Sequence, residues 1–370
     1  MKVLFLATPL FLLIMFACGQ PEEQSRVVLH PDYELAPYAE ADYQWISKER
    51  DLSEFSEELP DQVETLQRFL SANNQDNIED IPVMLRNSWG AKSVSIGDRL
   101  IFLHVASDQL LEYDMSEQSL SEVAPFGRGP GDIAYANELV LDQGHLIIPR
   151  EDHQLTLFDC NVKPCEYLNT IPIDKSAKSF ATMNDHFAVM GGAIGGIVDD
   201  NISIYNADGE KLHSFGETYQ TNDLYLHNMM VQGVIRSSEI LEYYLLTYHR
   251  LPFLYLFNGQ GELIHKFKLE SYSQTIMEYD TATRRVSSTS KGGISNLFQV
   301  DDEIFVLSAT SYGSSDFEYD REISFYMIHL SEMETYFIGS HHHQGDGNIS
   351  VQLTDLGVVL IEGGEASLFR

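Results

Sequence analysis

The chain is predicted to be all-β, a six-bladed β-propeller of four-stranded antiparallel blades, and three observations predict it. From residue 81 onward, short runs rich in Val, Ile, Leu, Phe and Tyr alternate with Gly, Asn and Asp turns, the mark of strands joined tightly. A unit recurs in which a strand ends in an aromatic or apolar residue and a turn follows: Leu110–Asp114, Leu155–Asp159, Ile202–Asn206, Leu254–Asn258, and, more weakly, Phe325–His329 and Ala366–Arg370. Its anchors, Tyr113, Phe158, Tyr205, Phe257, Ile328 and Phe369, mostly stand 41–52 residues apart, with one gap of 71. That spacing matches one propeller blade.

Each anchor has the same surroundings. Asn206-Ala207-Asp208-Gly209-Glu210 and Asn258-Gly259-Gln260-Gly261-Glu262 read as hairpin turns in which Gly supplies φ > 0. Upstream lie two strands around a turn, as at Leu139–Leu141 and His145–Ile148, and downstream a fourth, as at Leu212–Phe215. Each unit thus reads A, B, C, D with the anchor on C. The last unit stops at C, because the chain ends one residue after Phe369. A strand from before the first repeat, within Pro82–Trp89, is expected to pair there and close the ring, which removes the sheet edges. A sandwich or a β-helix is the competing architecture.

Three stretches follow: 1–17 as a leader, 18–80 as an acidic tether with one short helix near Asp61–Ala72, and 81–370 as the propeller. Met1-Lys2-Val3 and the apolar run Leu4–Ala17 have the form of a secretory signal. The run is shorter than the roughly 20 residues of a membrane span. It ends at Met15-Phe16-Ala17-Cys18-Gly19, which resembles the bacterial lipobox, so cleavage before Cys18 and acylation of its thiol are expected. Gly19, where an inner-membrane retention signal has Asp, points to the outer membrane. Gln20-Pro21-Glu22-Glu23 leaves the periplasmic side and the cell surface both open. In an exported chain, Cys160 and Cys165 read as a short-loop disulfide. A net charge of −33, spread along the chain, opposes binding to nucleic acid or anionic lipid.

Phe126-Gly127-Arg128-Gly129-Pro130-Gly131-Asp132-Ile133 resembles the GxGPG(E/D) signature of the TolB-like six-bladed propeller lipoproteins of Bacteroidetes-type bacteria. With the lipobox, the resemblance covers residues 81–370. It implies the propeller fold and the anchor, and it brings no general activity. The segment is not a phosphate loop, since it lacks the Lys-Ser/Thr and no helix follows. It reads as the turn between two blades, with Arg128 as a candidate for the ligand face.

In a propeller, D–A and B–C loops share one face. On that face fall Arg128 and Asp132, Arg150, Asp152 and His153, Gly191–Gly196, His249 and Arg250, Asp316–Arg321, and His341–Asp346 with His342. Two long inserts fall there too, a D–A loop at about 270–292 and a B–C loop at about 309–322. A binding site near the central channel on that face is therefore expected. His341-His342-His343 invites a metal, and Asp316, Glu318 and Asp320 invite Ca²⁺, yet three adjacent residues of an extended loop cannot all meet one ion and no EF-hand spacing is present. Polar loops are the plainer reading, and no cofactor is expected. The segment Arg150-Glu151-Asp152-His153 carries acid, base and cation types, but reads better as a self-paired turn. With no nucleophile elbow, HExxH, P-loop or Rossmann fingerprint, a non-enzymatic cell-envelope protein that binds a protein, peptide or glycan is expected. The alternative is a propeller hydrolase or lyase, metal-dependent or not. Convergence of charged side chains from several blades at the channel mouth would favour the enzyme.

Overall fold

The computed structural model describes residues 26–29, 33–71, 78–85, 91–104, 109–192, 196–270, 272, 276–280, 285–289, 292–312, 320–344 and 349–370. Six antiparallel sheets stand around an axis as the blades of a propeller. Blade 1 comprises Ala91–Ile96, Arg99–His104, Gln109–Asp114 and Ser119–Ala124, and blade 2 Val140–Asp142, His145–Arg150, Gln154–Asp159 and Glu166–Pro172. Blade 3 comprises Ser179–Met183, His186–Met190, Asp200–Asn206 and Lys211–Glu217, and blade 4 Gly233–Ser238, Tyr243–Tyr248, Phe253–Asn258 and Leu263–Leu269. Blade 5 comprises Gly292–Gln299, Ile304–Tyr312, Asp320–His329 and Glu334–Gln344. Blade 6 takes Ile349–Thr354, Gly357–Glu362 and Glu365–Phe369 from the C-terminus and Ile78–Met84 as its outer strand.

All six anchors lie on C strands and are buried. An aromatic or branched side chain there fills the space between one sheet and the next, where close packing rewards volume. The core accordingly divides into six clusters, one per blade interface. Ile101 and Leu103 of blade 1 meet Leu146, Ile148 and Phe158 of blade 2, and Val359, Ile361 and Leu368 of blade 6 meet Leu100, Phe102 and Leu111 of blade 1. The predicted hairpin turns are built alike. Asn206 Oδ1 accepts from the backbone N–H of Asp208 (3.1 Å) and Glu210 (2.9 Å), and Asn258 Oδ1 from Gln260 (3.0 Å) and Glu262 (2.9 Å). Gly209 and Gly261 take φ +85° and +84° in these turns.

The ring closes as expected, through an N-terminal strand antiparallel to the last C strand, with Phe369 opposite Ile78 and Ala366 opposite Ile81. The strand begins earlier than the expected window. Ile81, Val83 and Leu85 alternate inward, and a shift of one residue would turn all three to solvent. The expected long D–A loop at 270–292 contains strands instead. Ile276–Asp280 and Arg285–Thr289 pair as a hairpin, and Arg26–Leu29 joins Ile276–Asp280. The N-terminal segment packs on the ring. Helix α1 (Asp61–Ser71) buries Val63, Leu66 and Phe69 against blades 5 and 6, and Gln44–Ile46 adds to blade 4 as a parallel fifth strand. No helix among the described residues is long and apolar enough to cross a membrane.

Candidate functional site at the channel mouth

The innermost A strands begin, and the B strands end, around a cavity of about 440 Å³ on the axis. It opens on the face shared by the D–A and B–C loops. Single side chains from separate blades line it: Lys92 from blade 1, Glu138 ahead of blade 2, Lys178 ahead of blade 3, His249 and Arg250 after the B strand of blade 4, and Arg321 on blade 5. A second cavity of about 200 Å³ opens on the opposite face. Lys92, Glu138, Asn296 and Gln352 border both and so form the waist of the channel.

Close approach of the backbone at this mouth requires glycine. A Cβ at Gly233 would stand 1.8 Å from the Thr247 carbonyl oxygen, and one at Gly293 2.4 Å from that of His249. These two residues let the A strands of blades 4 and 5 lie against the ends of the B strands that carry His249 and its neighbours.

Glu138 is buried and fully engaged. One carboxylate oxygen accepts from the Arg236 guanidinium at 2.6 Å, and the other from the Ser179 hydroxyl, which itself accepts from the Ile235 N–H at 3.0 Å. This network ties blades 3 and 4 to the segment ahead of blade 2. His249 Nδ1 lies 2.8 Å from the Ile294 carbonyl oxygen. A carbonyl only accepts, so Nδ1 carries the proton and Nε2 presents a lone pair. Burial, reinforced by the positive charge of Lys92, lowers the imidazole pKa to about 4, so the ring is neutral at ordinary pH. The Arg250 guanidinium donates through one nitrogen to the Met229 carbonyl and to Gln232 Oε1, both at 2.9 Å. At the rim, Lys178 pairs with Glu151.

Lys92 differs from all of these. Among the described residues its ammonium makes no hydrogen bond and no ion pair. Burial holds its pKa below the ordinary lysine value; Glu138 opposes that shift from a distance and Arg236 adds to it. In a chain with 56 acidic and 23 basic residues, the cavity is lined by Lys92, Lys178, Arg250 and Arg321 against the single carboxylate of Glu138. Its potential is opposite in sign to the chain's net charge.

Of the residues expected on the ligand face, His249, Arg250 and Arg321 line the cavity. Arg128, Asp132, Arg150, Asp152, His153 and His342 do not. Arg150 is 1% exposed: its guanidinium grips the Asp152 carboxylate through Nε (2.9 Å) and a terminal nitrogen (2.6 Å), and reaches the Asp132 carbonyl at 3.0 Å. The Asp132 carboxylate accepts from the Gly129 N–H at 2.8 Å and fills the space a Cβ on Gly127 would need. Arg128 donates to the Tyr135 hydroxyl at 2.8 Å and lies over its ring. His153 turns the B–C corner of blade 2 with φ +65°. The GxGPG segment is thus a braced interblade turn. His342 is in a strand and not in a polar loop, because blade 5 extends its C and D strands to pair Glu322 with His342. Alternation along that strand stacks His341 on Phe69 at 5.4 Å, buries His343 and exposes His342, so the three rings do not converge. Asp316, Glu318 and Cys18 lie outside the described residues. Among the described residues no group of three His, Cys, Asp or Glu side chains is placed to hold a metal ion.

Cys160 and Cys165 are joined by a disulfide on the opposite face. Their loop docks on blade 1, where Glu112 accepts from the Cys165 N–H at 2.9 Å and Arg99 donates to the Val162 carbonyl at 2.9 Å.

Lys92, Glu138, Lys178 and Arg236 escaped the sequence reading. They are isolated residues on or beside innermost strands, separated by tens of positions, and no local motif contains them. The available signal was a polar side chain placed among small and apolar neighbours at the start of an A strand, as in Ala91-Lys92-Ser93-Val94 and Asn137-Glu138-Leu139.

No family model matches the chain, and no curated protein matches it. Among solved structures it is similar to an exported protein of unassigned role from Bacteroides fragilis NCTC 9343, with 10% identity, 72% of this chain and 77% of that one covered, and a TM-score of 0.44. It is also similar to a member of the DUF4221 family from Bacteroides vulgatus ATCC 8482, with 8% identity, coverage of 80% and 99%, and a TM-score of 0.46. A computationally designed protein, Ika8, is similar at 9% identity and a TM-score of 0.42, with 79% of this chain and all of that one covered. Likeness at this level transfers no activity or ligand to the present chain.

Proposed function

We propose that the protein is a non-enzymatic binding propeller of the cell envelope, tethered to the outer membrane through acylated Cys18, which takes its ligand into the channel mouth. The observation that carries this reading is Lys92. The Lys92 side chain is half-buried and lines the cavity, and among the described residues its ammonium has no hydrogen bond or ion pair, so it is available to an anionic ligand. The lipobox-like Met15–Gly19 and the apolar leader support the tether.

The convergence of Lys92, Glu138, His249 and Arg250 from separate blades favours a second reading, a hydrolase or lyase. The chemistry of the set speaks against it. Its one carboxylate is committed to Arg236 and Ser179, and a histidine with a pKa of about 4 is a poor general base at neutral pH.

One experiment in living cells tests both parts. The chain carries a photo-crosslinking amino acid either at Ser295, in the mouth, or at Leu212, exposed on the outer strand of blade 3. Irradiation is expected to yield a defined small adduct at Ser295 and none at Leu212, with the protein in the membrane fraction. A Cys18→Ser version should give the same adduct from the soluble fraction. Equal or no labelling at the two positions would remove the binding reading, and membrane retention of Cys18→Ser would remove the tether.

A further inference from the structure

We infer that the channel mouth recognises a hydroxylated carboxylate, a sugar acid of the uronate type, either free or as the terminal residue of an acidic glycan. This rests on the reading of the mouth as a binding site and adds the chemistry of its occupant.

Three features of the lining select this class. The first is the Lys92 ammonium, which has no hydrogen bond or ion pair among the described residues, with the Arg250 guanidinium in the same lining. Together they present positive charge in a low-dielectric pocket, which calls for an anion. The second is His249. With Nδ1–H fixed on the Ile294 carbonyl, its Nε2 accepts a hydrogen bond and does not supply charge. An acceptor placed among cations fits a ligand that carries a hydroxyl as well as an anionic group. A bare sulfate offers no such donor. The third is the remaining lining: the Asn296 and Gln352 amides, 3.4 Å apart, and the hydroxyls of Ser350 and Thr310. Such side chains read the hydroxyl groups of a sugar and do not read an apolar body.

A braced turn leads into Asn137 of the lining. Tyr135 has an exposed ring and a left-handed backbone, φ +59°, which is costly for an aromatic residue. Its carbonyl holds that conformation by accepting from the Glu151 N–H (3.0 Å) and from Asn137 (3.3 Å), and Asn137 lines the cavity. The Arg128 guanidinium lies over the Tyr135 ring and donates to its hydroxyl, so this corner holds Asn137 in place at the mouth. The cavity, about 440 Å³, falls in the range of small-ligand sites, roughly 300–1,000 Å³.

The test is calorimetric titration of the full chain carrying Cys18→Ser. The probes are D-galacturonate, D-glucuronate, D-galactose, inorganic phosphate and tri-galacturonate. At least one uronate is expected to bind, at least about tenfold tighter than galactose, which keeps the hydroxyls and lacks the carboxylate. Phosphate should neither bind comparably nor compete. Lys92→Met should weaken uronate binding by about tenfold or more, the size of a lost charge-assisted hydrogen bond, while its melting temperature shows it folded. Lys92→Arg should stay within a few-fold of the parent. A trisaccharide that binds tighter than the monosaccharide assigns the source to a glycan end, and equal affinity assigns it to a free sugar acid. Galactose or phosphate binding as tightly as the uronates, or indifference to Lys92→Met, would overturn the inference. If no probe binds while the Ser295 crosslink still forms, the ligand class is wrong and the binding site stands. If that crosslink also fails, both fall.

Discussion

Two positively charged side chains on the same face of the propeller, Arg150 and Lys92, have opposite surroundings. Arg150 sits in the segment richest in apparent chemistry, next to Glu151, Asp152 and His153, and every direction of its guanidinium is answered by Asp152, Asp132 or Thr156. Lys92 sits in an unremarked strand and nothing among the described residues answers it. Adjacent complementary charges in a sequence satisfy one another in a turn. Charges left without a local partner and carried inward by separate blades remain available to a ligand.

The sharpest way to break this comparison is to remove Arg150. Arg150→Met leaves Asp152 and the Asp132 carbonyl without their donor, and the fold should lose about 3–5 kcal/mol, as for the loss of one partner of a buried pair. Denaturant unfolding checks this, and a loss under about 1 kcal/mol would mean that Arg150 is not the brace described.

A smaller effect is expected on acidification. The folded-state pKa of His249, about 4, lies below the unfolded value near 6.5. Between these values the unfolded chain binds the proton and the folded chain does not, so stability rises with pH across that window and falls as pH drops through it. From pH 7 to 4 the contribution is on the order of 2–3 kcal/mol. The groups bearing on His249 are Lys92, Arg250 and Glu138. Melting curves of the parent and His249→Gln should converge toward pH 4, and parallel curves would refute the assignment.

The smallest effect has the opposite sign. Lys92→Met removes a half-buried charge that has no partner among the described residues and should stabilise the fold by up to about 1 kcal/mol, while weakening ligand binding. Destabilisation of that size would show that Lys92 braces the ring and is not held for a ligand.

The repeat was legible because blade packing is periodic. Tyr113, Phe158, Tyr205, Phe257, Ile328 and Phe369 recur at the C strand since each interface needs a bulky residue there, and Gly209 and Gly261 recur because their turns need φ > 0. The site was half legible. His249 and Arg250 stood out as a charged pair at a strand end. Arg128, Arg150 and His342 stood out as well, yet they are spent on Tyr135, on Asp152 and on an exposed strand face.

The amino-acid sequence by itself determined the number of blades, the turn chemistry and the need for an N-terminal strand to close the last sheet, because these follow from local pattern and from a missing fourth strand. Only the tertiary structure decided which charges are satisfied. Lys92, Glu138 and Arg250 lie tens to more than a hundred residues apart and meet only when the ring closes. The burial that holds the Lys92 and Arg250 pKa values down belongs to the closed channel and to no single blade.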